Sequence, residues 1–116
     1  MNITIQEHPN GIVVELDGKL DTGTSLGVDQ ALKEVAGDQL QALPEGARLL
    51  VVDCTKVPFI SSAGLRVLLA TGKALRRSRG ELRISGLNEA PRKVFQISGF
   101  DRFFKVFPDS ETALSA

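Results

Sequence analysis

The stretch Phe59-Ile60-Ser61-Ser62-Ala63-Gly64-Leu65-Arg66-Val67-Leu68-Leu69 turns an extended segment into a helix within a few residues. Upstream, Leu49 to Val52 is a continuous apolar run, as expected of a central strand buried on both faces. Downstream, Leu65, Leu68, Leu69, Gly72 and Leu75 recur at helical spacing and predict a helix from about Ser62 to Ser78. Lys73, Arg76, Arg77 and Arg79 gather at its end, where they complement the dipole, and Gly80 supplies the stop. Ser61 and Ser62 stand at the junction. Hydroxyls at a helix N-terminus meet unpaired N–H groups and the positive end of the dipole. That place suits a cap, and equally a phosphate.

Outward from this junction, residues 3–7 alternate and predict a short strand, and Ile12 to Leu20 predicts a second. His8-Pro9-Asn10-Gly11 joins them as a hairpin turn. Asp21-Thr22-Gly23-Thr24-Ser25 is dense in turn and N-cap chemistry. Val28, Ala31, Leu32 and Val35 then mark a helix that can continue past Gly37 toward Leu43, ended by Pro44-Glu45-Gly46. Glu81 to Leu87 predicts a fourth strand. Asn88 is placed to cap a third helix, Ala90 to Ile97, with Pro91 in its first turn. Phe103 to Phe107 predicts a last strand, and Asp109-Ser110-Glu111 opens a terminal helical turn. The resulting β-β-α-β-α-β-α-β-α order predicts one α/β domain over residues 1–116. Its sheet would have about five strands, an initial antiparallel hairpin followed by parallel β/α units. Right-handed crossovers would put the helices mainly on one face.

Composition narrows the function classes. The 116 residues carry 14 basic and 14 acidic side chains, a formal net charge of zero, which gives no footprint for nucleic acid or an anionic membrane. There is no Trp and no Tyr, so base-stacking platforms are not expected either. Met1 to Glu7 lacks the basic and apolar regions of a secretory signal, and no apolar run reaches the roughly 20 residues of a membrane span. The expectation is a cytoplasmic protein of bacterial style.

Catalytic constellations are missing. The one histidine, His8, falls in a turn beside Pro9, and there is no Gly-x-Ser-x-Gly elbow, no metal-spaced Cys/His set and no phosphate-cradling glycine loop. Asp17 and Asp21 read as solvated turn residues. The single Cys54 ends the apolar strand and is expected in the core. Asp53 has two readings, a loop aspartate bonding the Cys54–Pro58 turn or an acidic contribution near the serines. Arg76, Arg77 and Arg79 have two readings, an anion site or a solvated helix end. An enzyme is not expected, nor any cofactor or metal.

Val51-Val52-Asp53-Cys54-Thr55 followed by Val57-Pro58-Phe59-Ile60-Ser61-Ser62-Ala63-Gly64-Leu65-Arg66-Val67-Leu68-Leu69 resembles the signature of STAS domains, in particular the stand-alone anti-sigma-factor antagonists. Val13-Val14-Glu15-Leu16-Asp17-Gly18-Lys19-Leu20-Asp21 resembles that family's second strand. Gly80 to Leu87 resembles its fourth, and Val94 to Phe104 the segment before its last strand. The resemblance implies a partner-switching regulator. Unphosphorylated, it would bind an anti-sigma factor with serine kinase activity; phosphorylation of a serine at the start of the second helix would release it, and a metal-dependent serine phosphatase would reset it. The free form would be a monomer. Aligned on Gly64-Leu65, the family's modified serine corresponds to Ala63 and its aspartate to Ser61. Ser62 is therefore the first choice for phosphorylation and Ser61 the second. The implied partner surface comprises Asp21, Thr22, Gly23, Asp53, Ser61, Ser62, Ala63 and Arg66. The alternative is a non-phosphorylated STAS module that docks on a larger regulatory or transport complex, or binds a small ligand, through the same surface.

Overall fold

The computed structural model describes residues 1–116. Strands β1 (Asn2–His8) and β2 (Gly11–Asp17) form the expected antiparallel hairpin, in register from Asn2↔Asp17 to His8↔Gly11. Helix α1 (Ser25–Glu34) leads to β3 (Leu49–Lys56), helix α2 (Ser62–Arg77) to β4 (Glu81–Ser85), and helix α3 (Glu89–Ser98) to β5 (Lys105–Phe107). A short helix α4 (Ser110–Ser115) ends the chain. The sheet order is β1-β2-β3-β4-β5, with β2 to β5 mutually parallel. Such a monotonic order, built with right-handed crossovers, carries successive helices to one face.

That face holds the main core. Ile12, Val14 and Leu16 of β2, Leu50, Val52 and Cys54 of β3, and Leu82 and Ile84 of β4 all point into it. They meet Val28, Leu32 and Val35 from the α1 region, Leu65, Leu68 and Leu75 of α2, and Phe95 of α3. Strand alternation sends Val13 and Val51 to the opposite face, where Ala113 of α4 packs on them. Three helices thus share one face as expected, and α4 covers the other.

Five predicted elements differ in extent. The central strand runs past Val52 to Lys56, so Asp53 is a strand residue paired with Ser85 rather than a loop aspartate. The second strand stops at Asp17 rather than Leu20. Its register with β3 slips between Glu15 and Asp17, and Gly18 adopts φ +133°. Leu20 then rejoins the sheet through a lone parallel bridge to Ile60. The predicted helical continuation past Gly37 is one π turn, Val35–Gln39, closed by the Leu40 N–H donating to the Val35 carbonyl at 2.8 Å. The fourth strand ends at Ser85, because Gly86 turns the chain with φ +70°. The last strand begins at Lys105 rather than Phe103. A 3₁₀ turn at Phe100–Arg102 precedes it, and Phe95, Phe100 and Phe104 join as an aromatic cluster with centroids 6.1–6.4 Å apart. No helix is long and apolar enough to cross a membrane.

Candidate functional site

The N-termini of α1, α2 and α3 all lie at the edge of the sheet where the parallel strands end, the usual place for a site in an α/β fold. Two loops are joined there. The Leu20 N–H donates to the Phe59 carbonyl and the Ser61 N–H donates to the Leu20 carbonyl, both at 2.9 Å. The β2–α1 loop is thereby tied to the start of α2. Gly64 permits the contact: a Cβ there would lie 2.6 Å from Leu20 Cγ and 2.8 Å from its carbonyl oxygen.

The β2–α1 loop is itself fixed from within. Asp21 Oδ1 accepts from the Gly23 N–H at 2.9 Å and the Thr24 N–H at 3.1 Å. The Thr24 hydroxyl donates to the Lys19 carbonyl at 2.7 Å and accepts from the Asp21 N–H at 3.0 Å. Thr22 and Gly23 are exposed at the tip. An Asp-turn of this kind holds a backbone shape without help from regular structure.

The two serines separate cleanly. Ser61 is the N-cap of α2; it has extended backbone angles and its Oγ accepts from the Gly64 N–H at 3.3 Å. It is half-buried. Ser62 is the first helical residue and is exposed, with its hydroxyl free of any protein hydrogen bond. Ala63 is half-buried beside it. Arg66, one helical turn beyond Ser62, is exposed and makes no ion pair.

Asp53 does not belong to this group. It lies on the α4 side of the sheet, in register with Ser85. Its Oδ1 accepts from the Thr55 N–H at 2.9 Å and the Thr55 hydroxyl at 2.6 Å, and its Oδ2 accepts from the Ser110 hydroxyl at 3.1 Å. The Ser110 oxygen also lies 2.9 Å from that of buried Ser85. Asp53 therefore ties the β3 terminus to α4 and turns away from the serines. The alternation that puts Val52 and Cys54 in the main core already dictates this direction. Cys54 is fully buried; burial first, and the Asp53 charge second, push its thiol up to about 12.

Asn88 occupies the N-cap position of α3, but its side chain makes no capping bond. Its amide reaches across and donates to the Thr55 carbonyl at 2.9 Å and the Val57 carbonyl at 3.2 Å. The segment leading to Ser61 is thus braced from β4 as well as from Leu20.

Two apolar side chains at this edge went unassigned in the sequence. Leu26, in the first turn of α1, is 67% exposed, and Phe59, just before the serines, is 45% exposed. Leu26 falls off the Val28–Val35 stripe, which was the available signal. The edge therefore presents a free hydroxyl, an unpaired arginine and two apolar side chains on a braced backbone. It holds no group of three or more His, Cys, Asp or Glu side chains that could ligate a metal, and no nucleophile–base pair.

Comparison with known proteins agrees with this architecture. The chain is 34% identical over 116 residues to BtrV of Bordetella bronchiseptica, named as a candidate anti-sigma factor antagonist; the match covers 100% of this chain and 94% of that protein. It is 26% identical over 115 residues to the anti-sigma-F factor antagonist RsfB of Mycobacterium tuberculosis, covering 99% and 88% respectively. The crystal structure of an anti-sigma factor antagonist from Mycobacterium paratuberculosis superposes with a TM-score of 0.84 at 28% identity, covering 98% of this chain and 91% of that one. The sequence profile of the STAS domain matches residues 2–113, and the chain belongs to that family.

Proposed function

We propose that this protein is an anti-sigma factor antagonist, a binding regulator rather than an enzyme. In this reading the edge formed by Asp21–Gly23, Phe59, Ser62 and Arg66 docks an anti-sigma factor that is also a serine kinase. Leu26 and Phe59 supply apolar anchors, Arg66 a charged contact, and the braced loops a preformed surface. The names of the relatives support the partner class.

The observation that carries the switch is the division between the serines: Ser61 is committed as a cap, and Ser62 is exposed with a free hydroxyl. Phosphorylation of Ser62 would add about −1.5 to −2 charge at the first turn of α2. The helix dipole and the free N–H groups tolerate that charge, so the domain stays folded. The partner does not tolerate it, because a dianion in an interface must be desolvated or must face like charge, at several kcal/mol. Each ~1.4 kcal/mol is tenfold in affinity, so two or three such increments release the complex. A metal-dependent serine phosphatase would reset the cycle, with the protein acting in the cytoplasm as one domain and as a monomer when free.

The second reading is a STAS module that binds constitutively through the same surface and is never phosphorylated. Affinity for the anti-sigma partner distinguishes the two. Under the switch, Ser62→Asp weakens binding at least about tenfold, and Ser62→Ala binds like the unmodified protein but resists release by kinase and ATP. If ATP and kinase leave the wild-type complex intact, the constitutive reading stands.

A further inference from the structure

At the far end of α2 a cavity of about 260 Å³ opens between that helix, the start of β4 and the segment entering β5. Its floor is apolar: Leu69, Leu82 and the buried Phe104 ring. Gly72 keeps the floor open, since a Cβ there would lie 3.1 Å from Phe104 Cε1. Phe103, 51% exposed, stands at the rim, its ring held in a T-shaped pair with Phe100 at 6.2 Å.

The rim charge is one-sided. Lys73, Arg76 and Lys105 line the cavity against a single carboxylate, Glu81. Glu81 is already engaged by Arg83, and it meets Lys105 only at 3.9 Å. Lys73 has no ion-pair partner, and Arg76 spends one N–H on the Phe103 carbonyl at 3.2 Å, leaving its other donors free. A chain of zero net charge thus places two unpaired cations, Lys73 and Arg76, and the weakly paired Lys105 around an apolar slot. Slots lined by aromatic and aliphatic side chains with a few convergent polar groups are the usual form of small-molecule sites. Arginine donors match the oxygens of carboxylates and phosphates.

We propose that this cavity binds a small organic anion with a flat apolar body. Lys73, Arg76 and Lys105 hold the anionic group, and the body lies on Leu69, Gly72 and Leu82 under the Phe103 ring. The site is separate from the serine edge. Arg76 lies 14 residues beyond Ser62 on α2, about 21 Å along the axis at 1.5 Å per residue. The ligand and the anti-sigma partner therefore do not compete for the same surface.

Titration of the isotope-labelled full chain with 1-naphthyl phosphate and with 1-naphthoate, followed by amide NMR, tests this. Saturable shifts are expected at Gly72, Gly80 and Phe103–Lys105 for at least one of the two, with Ser62 and Arg66 unmoved; which one binds more tightly identifies the anionic group. 1-Naphthol, which lacks the charge, and inorganic phosphate, which lacks the body, should each bind at least about tenfold more weakly. The Lys73→Gln/Lys105→Gln double variant should weaken binding about tenfold with an unchanged melting temperature. The proposal is overturned by the absence of saturable shifts up to the probes' solubility limit, by equal binding of 1-naphthol, or by full affinity in the double variant.

Discussion

Gly64 and Gly27 make a matched pair. Each is the third residue of its helix, α2 and α1 respectively. Replacing either by alanine removes about 0.5–1 kcal/mol of unfavourable glycine entropy from a helix. At Gly27 nothing lies within 4 Å of the new Cβ, so that gain should appear undiminished. At Gly64 the Cβ would sit 2.6 Å from Leu20 Cγ and 2.8 Å from its carbonyl oxygen. Leu20 cannot retreat freely. Its side chain is fully buried, its N–H is bonded to Phe59, and its carbonyl is bonded to the Ser61 N–H. Relief must stretch that backbone junction or displace the start of α2. Overpacking of this kind destabilises by about 1–3 kcal/mol, and a lost hydrogen bond adds about 1. The clash outweighs the propensity gain, so Gly64→Ala should lose about 1–3 kcal/mol while Gly27→Ala gains about 0.5–1 kcal/mol. Urea unfolding followed by circular dichroism measures both. For a domain of this size Gly64→Ala should melt several degrees lower, at about 4 °C per kcal/mol. A Gly64→Ala protein as stable as Gly27→Ala would refute the claim that the Leu20 junction is rigid and that Gly64 exists to permit it.

Asn88→Asp separates two roles for one residue. A capping role makes the change neutral, because both side chains cap well, whereas bracing Thr55 and Val57 requires donors, so the variant should lose about 1–3 kcal/mol on denaturation. Arg79 adopts φ 62° after the end of α2, and its only ion pair, with Glu45 at 3.2 Å, is exposed. Arg79→Gly should therefore stabilise by about 0.5–1 kcal/mol in the same assay. Cys54 should resist thiol reagents until the protein unfolds. Its folded pKa is raised from 9.0 to about 12, so between those values the folded state keeps a proton that the unfolded state releases. Stability should then fall as pH rises above 9, by up to about 1.4 kcal/mol per pH unit from this group. A Cys54→Ala protein should lack that component in unfolding measured from pH 8 to pH 11.

The parts of the fold visible in the sequence are those set by local chemistry. The hairpin follows from alternation around Pro9-Asn10, the central strand from the Leu49–Val52 run, and α2 from its leucine stripe and serine start. The misplaced parts depend on contacts distant in sequence. Leu20 is apolar enough to extend β2, yet Gly18 turns the chain and Leu20 pairs with Ile60 instead. Phe103 and Phe104 have strand-forming side chains, but the aromatic cluster with Phe95 and Phe100 claims Phe104 and leaves β5 only three residues. Asn88 sits where a cap belongs, and only the position of Thr55 and Val57 redirects its amide. At the candidate site, the two serines and the Asp21 loop were legible. Their division of labour was not, because propensity favours a cap at either serine. The side of the sheet taken by Asp53 could have been read from strand parity.

The central claim is that Ser62 carries the switch. The most direct measurement is phosphosite mapping by mass spectrometry after incubation of the full chain with its anti-sigma kinase and ATP. The account expects a single phosphate on Ser62, abolished by Ser62→Ala and retained in Ser61→Ala. A phosphate on Ser61, or a chain left unmodified while the kinase phosphorylates an Ala63→Ser variant, would contradict it.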